Sequence, residues 1–204
     1  MTSLRLRLKS KIEPEFVRKF VHSATENFIP KGEFMAISKK MEQAINDQIN
    51  AEFYSAYLYL AMACQADDMQ LKGLASWFNV QYQEEVAHAM GFVNYLQERG
   101  GRVVLQAIEQ PRVEWPDAVA MFEQTCEHEA YVTSRINDLA ALAVEEKDFA
   151  ATQFLNWYVK EQVEEEATAA DILGELRLAK DAPGAMLFLL RELGARTFVA
   201  PVIG

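Results

Sequence analysis

Two long stretches without proline constrain this chain more than any other feature. The six prolines stand at 14, 30, 111, 116, 183 and 201, which leaves residues 31–110 and 117–182 free of them. Inside both stretches the apolar residues recur every three or four positions, the period of one face of an α-helix. Ser38 is placed to cap a first helix running to about Cys64, with Asp67-Asp68 marking the break. A second is expected from near Gln70 to Arg99, stopped by Gly100-Gly101. Residues 102–115 include Val103-Val104-Leu105 and Pro111 and read as an extended crossover. Pro116 suits the first turn of a third helix, which runs to about Val144. Glu145 to Asp148 is a tight polar joint, and a fourth helix follows to about Ala179. Asp181-Ala182-Pro183-Gly184 then turns the chain, and Met186 to Leu193 is a short apolar fifth helix. Short, long, short connections mean two antiparallel hairpins, the second laid on the first. The expected fold is all-α: a four-helix bundle with a long crossover between its second and third helices and a short C-terminal fifth helix.

Composition narrows the partners. The chain has 204 residues, half of them hydrophobic, enough for the core of one ordinary domain. Twenty bases against 30 acids give a net charge of −10. Such a surface repels nucleic acid and anionic lipid and suits cations, so neither nucleic acid nor membrane is expected as a partner. The longest nearly apolar stretch, Phe53 to Cys64, is too short to cross a bilayer. Cys64 and Cys126 lie far apart and form no C-x-x-C. That argues against a disulfide framework and a cysteine zinc site, and for a reducing, cytoplasmic location.

The charge is uneven. Residues 1–34 carry seven Lys/Arg and four Glu, a net of +3, while the other 170 residues carry −13. An alternating apolar and basic start, Leu4 to Lys9, invites a targeting reading, but a transit peptide is poor in acids. Lys31-Gly32-Glu33-Phe34-Met35 is also the peptide that a bacterial ribosome-binding site, or a restriction-site scar, would encode if translated. Residues 1–34 are therefore expected to be an extension, native or not, outside a domain of residues 35–204.

The chemistry lies in the buried stripes. On the second helix the stripe through His88 runs Leu74, Phe78, Gln81, Glu85, His88, Phe92, Leu96, apolar at both ends and ionisable at the centre. On the fourth it runs Leu155, Tyr158, Gln162, Glu165, Ala169, Ile172, Leu176. Phe122, Cys126, Glu129, Val132 and Ile136 share a face of the third, and Ile45, Ile49, Glu52, Ala56 and Tyr59 one of the first. Each helix thus turns an acid inward at mid-length. Unpaired carboxylates are costly to bury and repel one another, whereas a multivalent cation supplies the missing charge. Carboxylate oxygens with one imidazole suit iron(II), manganese or zinc. Glu85-Val86-Ala87-His88 alone is a weak signal, and Glu164-Glu165-Glu166 alone reads as a solvated charge run. Their coincidence at one depth on four helices is the strong signal, and an error in helix phase would turn the acids outward.

Asn50-Ala51-Glu52-Phe53-Tyr54-Ser55, Glu84-Glu85-Val86-Ala87-His88, His128-Glu129 and Trp157 to Glu166 carry a resemblance. From about Met35 to Arg196 the chain resembles a prokaryotic non-haem ferritin, of the ferritin-like di-iron family. The resemblance implies that Glu52 and His88 bind a first iron, Glu85 bridges, and Glu129 and Glu165 bind a second with Gln162 nearby. It implies a third iron site at Glu84, Glu161 and Glu164, and matches Tyr59 to a tyrosine beside the centre, although a core aromatic explains Tyr59 equally well. His128 points about 100° away from its neighbour's direction on a helix and is left out. The implied function is ferroxidase: iron(II) oxidised by dioxygen and stored as an iron(III) oxyhydroxide mineral in a cage of twenty-four subunits. Bacterioferritins carry a second E-x-x-H where this chain reads Gln162-Val163-Glu164-Glu165, so no haem is expected. Rubrerythrin-like peroxidases need paired C-x-x-C motifs that are missing here. A helical scaffold with solvated acids is the non-enzymatic alternative.

Overall fold

The computed structural model describes residues 37–203; the readings of residues 1–34 lie outside them. Five helices follow in order: α1, Lys39–Asp68; α2, Lys72–Glu98; α3, Ala118–Glu145; α4, Phe149–Ala179; and α5, Pro183–Leu193. The expected all-α bundle is the observed one. α1 packs most extensively on α2 and α3 on α4, with α1 also against α3, so two hairpins form the bundle. The long connection, residues 99–117, runs along α1. Asn46 holds it there, donating to the Arg102 carbonyl and accepting from the Val104 N–H, and Asn50 donates to the Ala107 carbonyl.

The helix ends differ from the sequence reading by a turn or less, each for a local reason. Ser38, Asp117 and Asp148 cap α1, α3 and α4, their side chains accepting from the N–H groups of Met41, Ala120 and Ala151. Pro116 therefore precedes the α3 cap instead of lying in its first turn. α1 continues through Asp67-Asp68 and ends where Gln70 adopts φ 62°; the Leu71 N–H then reaches back to the Ala66 carbonyl. α2 and α3 end the same way, on Gly100 (φ 72°) and Lys147 (φ 57°). This left-handed closure satisfies carbonyls that the last turn leaves over, and only one of the three positions is a glycine. α5 starts at Pro183, whose fixed φ suits a first turn, and so begins before Met186.

The apolar core is divided. One part gathers Leu58, Tyr59, Met62, Phe78, Phe122, Ile172 and Leu176, with Leu189 and Leu193 of α5. The other gathers Ile45, Ile49, Phe92, Leu96, Ile136, Leu155 and Tyr158. Between them, on every long helix, lies a buried polar waist: Gln48, Glu52 and Ser55 on α1, Gln81, Glu85 and His88 on α2, Thr125, His128 and Glu129 on α3, Gln162 and Glu165 on α4. Among the described residues no helix is long and apolar enough to cross a membrane.

Candidate metal centre

All four mid-helix acids, Glu52, Glu85, Glu129 and Glu165, are buried. Two packed apolar parts of the core lie on either side of them, so the carboxylates have little water to share. Glu52, Glu85 and His88 offer one ligand atom each, all within 4.8 Å of one another, the one such group of three among the described residues. His88 sits one turn after Glu85, its Nδ1 3.4 Å from the Glu85 carboxylate. The imidazole is wedged edge-on against Trp157 and Tyr158, and the Tyr158 hydroxyl donates to the His88 carbonyl at 2.9 Å. That fixes the backbone from which the ring projects.

Across the waist, Tyr59 donates a very short hydrogen bond to Glu129. Gln162 donates to the second Glu129 oxygen at 3.3 Å and to Thr133 at 3.2 Å. Gln81 donates to Glu165 at 2.9 Å, and Gln48 to Glu52 at 2.8 Å. Every one of these donors is neutral. Burial, then the charge of Glu85, pushes Glu52 up to about 8. Burial, then Glu165, pushes Glu129 up to about 8 against the bonds from Tyr59 and Gln162. Burial, then Glu129 and Glu165, drives Glu85 well above the usual carboxylate range. Burial, then the Glu129 charge, likewise drives the Tyr59 hydroxyl upward. Carboxyl groups crowded until they resist ionisation, with one imidazole among them, are a donor set matched to a hard or borderline divalent cation.

The three acids of the expected third site, Glu84, Glu161 and Glu164, differ in their surroundings. Glu84 is bound by Arg196 at 2.7 Å. Glu161 is half-buried, and Glu164 is exposed, 3.4 Å from Lys160. His128, left out on phase, is buried and bonded through Nε2 to Ser55 at 2.8 Å; burial lowers it to about 4. Sequence reasoning missed the supporting shell. Arg135 donates to the side-chain amide oxygen of Gln48 at 3.0 Å, and Arg196 donates to that of Gln81. Each guanidinium turns a glutamine so that its NH2 faces a carboxylate. Gln81 lies in the buried stripe of α2, and Gln48 stands four residues before Glu52, so their placement was legible although their partners were not.

A four-helix bundle with a carboxylate and histidine waist and a short fifth helix defines the ferritin-like class. The ferritin-like domain family model matches residues 42–179, and the chain belongs to this family. Among curated relatives it is similar to a probable bacterial non-heme ferritin-like protein of Haemophilus influenzae, 41% identical over 160 residues, covering 78% of this chain and 96% of the relative. It is similar also to the bacterial non-heme ferritin of Staphylococcus aureus, 35% identical over 162 residues, covering 79% and 98%. Among solved structures it is similar to an open pore ferritin from the archaeon Archaeoglobus fulgidus, with 54% identity, a TM-score of 0.78 and coverage of 79% and 98%. The likeness to prokaryotic non-haem ferritins thus extends through sequence and fold alike.

Proposed function

We propose that the chain is an iron-storage protein that oxidises iron(II) as it takes it up. The observation that carries this reading is the buried group Glu52, Glu85 and His88, accompanied in the waist by the buried Glu129 and Glu165, with neutral hydrogen-bond donors on Glu52, Glu129 and Glu165. Iron(II) is here a substrate, oxidised by dioxygen and passed on as iron(III) to an oxyhydroxide mineral. Glu52 and His88 would hold one ion, Glu129 and Glu165 the other, and Glu85, between the two sets, would serve both. Gln48 and Gln81 each donate to one carboxylate oxygen, of Glu52 and of Glu165. Gln162 steadies Glu129, and Tyr59 closes the far side. An arriving cation favours the ionised form of its carboxylate ligands, so its binding would release protons from the waist.

The names of the relatives support iron as the cargo. Storage of a mineral requires an enclosure, and a homo-oligomeric cage, expected to have twenty-four subunits, would provide it. Leu187 and Phe188 on α5 are 53% and 64% exposed in the single chain and need covering, as assembly would do. Cytoplasmic residence, where iron(II) persists and Cys64 and Cys126 stay free thiols, goes with this role. The test is aerobic addition of iron(II) to iron-free protein. The expected result is dioxygen uptake and clear retention of many irons per chain, with the fast phase lost in His88→Ala. Slow, buffer-like oxidation with precipitating iron would refute the reading.

A further inference from the structure

The structure assigns to Arg135 of α3 a positioning role at Glu52 of α1, exerted through the amide of Gln48. This role rests on the waist being a metal centre and concerns what holds one of its carboxylates in a ligating pose. Gln48 stands one turn before Glu52 and is fully buried. Its NH2 donates to Glu52 Oε1 at 2.8 Å, and its amide oxygen accepts from Arg135 Nε at 3.0 Å. A guanidinium only donates and offers no acceptor. The Gln48 oxygen is therefore the end that must face Arg135, and the NH2 is left for Glu52. Reversed, the amide would set donor against donor on one side and oxygen against carboxylate on the other.

Arg135 is itself held in place. Its Nη2 donates to the Asp47 backbone carbonyl at 2.9 Å and its Nη1 to the Tyr131 hydroxyl at 3.2 Å, with the guanidinium carbon 5.7 Å from the Tyr131 ring centroid. All three nitrogens of the fork are thus engaged, on α1 and on α3. Arg135 and Gln48 also line a groove of about 420 Å³ formed by α1 and α3, together with Asp47, Asp138 and Glu145. The permanent charge stays at this edge of the bundle, beside acids, while its effect reaches Glu52 through one neutral amide. A cation arriving at Glu52 meets an oriented carboxylate and has no guanidinium to displace from it. A brace that merely tied α3 to α1 through Asp47 and Tyr131 would not need the Gln48 contact and would leave metal affinity alone.

The test is a cobalt(II) titration of the full-length, iron-free assembled protein, followed by visible ligand-field absorption. An acidic surface binds cobalt elsewhere, so the quantity read is the affinity of the band that His88→Ala removes. Arg135→Met keeps an apolar cover on Tyr131 and should weaken that affinity about tenfold to a hundredfold, the usual effect of losing a group that orients a ligand. Gln48→Met should weaken it equally, and adding Arg135→Met to Gln48→Met should weaken it no further, because the two act as one unit. Wild-type affinity in Arg135→Met, or a full second loss in the double variant, would overturn the assignment and leave Arg135 a brace between helices. If Arg135→Met fails to assemble, the polar Arg135→Gln takes its place: the same loss supports the role, and wild-type affinity overturns it. A band unchanged in His88→Ala would instead overturn the metal centre, a result distinct from failure of the relay.

Discussion

Asp148 shows how much one side chain can do. It caps α4 through the Ala151 N–H and takes a two-pronged bond from Arg99, at 3.0 and 2.8 Å, thereby tying the end of α2 to the start of α4. Burial alone would raise its carboxyl, but the Arg99 guanidinium and the Ala151 and Ala150 N–H groups outweigh this and hold it below its ordinary 3.8. A depressed carboxyl stabilises the fold above its unfolded value and loses that contribution as pH falls through the folded one. Asp148→Asn keeps a capping oxygen but loses the charge. It is expected to cost about 1–2 kcal/mol at pH 7, the scale of a hydrogen bond to a charged group. The gap to wild type should close as pH drops below 3.8, measured by chemical denaturation. In the waist, the two proposed ion positions are expected to be unequal, since an amide is a poorer donor to iron(II) than imidazole. His88→Ala should abolish the tight site, while Gln162→Ala should slow oxidation and spare tight binding. Anaerobic iron(II) titration that finds two equal tight sites in wild type would contradict this.

Helices α2 and α5 meet through a contact that depends on having no side chain. A Cβ on Gly73 would stand 1.6 Å from the Leu190 carbonyl oxygen and 2.6 Å from its carbon, so α5 cannot stay in place above an alanine there. Gly73→Ala is expected to destabilise by about 1–3 kcal/mol, as overpacking does, and to loosen Leu189 and Leu193 from the core. Hydrogen exchange should locate the loss of protection in α5. At Gly174 on α4 an added Cβ would meet nothing within 4 Å, so Gly174→Ala serves as the control and should stabilise by about 0.5–1 kcal/mol through helix propensity. Equal effects at the two glycines would show that propensity, not the α2–α5 contact, governs Gly73.

For the particle as a whole, the exposed apolar pair on α5 carries the expectation of assembly. Replacing Leu187 and Phe188 together by glutamate should give smaller species than wild type in light scattering; an unchanged particle would place the interfaces elsewhere. Every candidate ligand stands at or after Glu52, so residues 1–34 are expected to be dispensable for the chemistry. Deleting them should leave the initial oxidation rate nearly unchanged, and a large loss in a deletion variant that still assembles would give that segment a part in the chemistry.

The helices and the inward acids were legible because both depend on local repetition. An apolar period of three to four residues decides which face of α2 is buried, and Glu85 and His88 fall on that face wherever the helix is finally packed. The same holds for Glu52, Glu129 and Glu165, whose burial follows from the apolar neighbours one turn before and after them. Helix ends were less legible, since Gln70 and Lys147 adopt left-handed φ without being glycine, under the pull of the carbonyls they help to satisfy. The contacts that complete the centre had no local signal at all. Arg196 meets Glu84 across 112 residues, and Arg135 meets Gln48 across 87. Both depend on where the tail and the third helix come to lie after packing. A side chain's face is fixed by its own helix, but its partner is chosen only when separate elements are brought within hydrogen-bond reach.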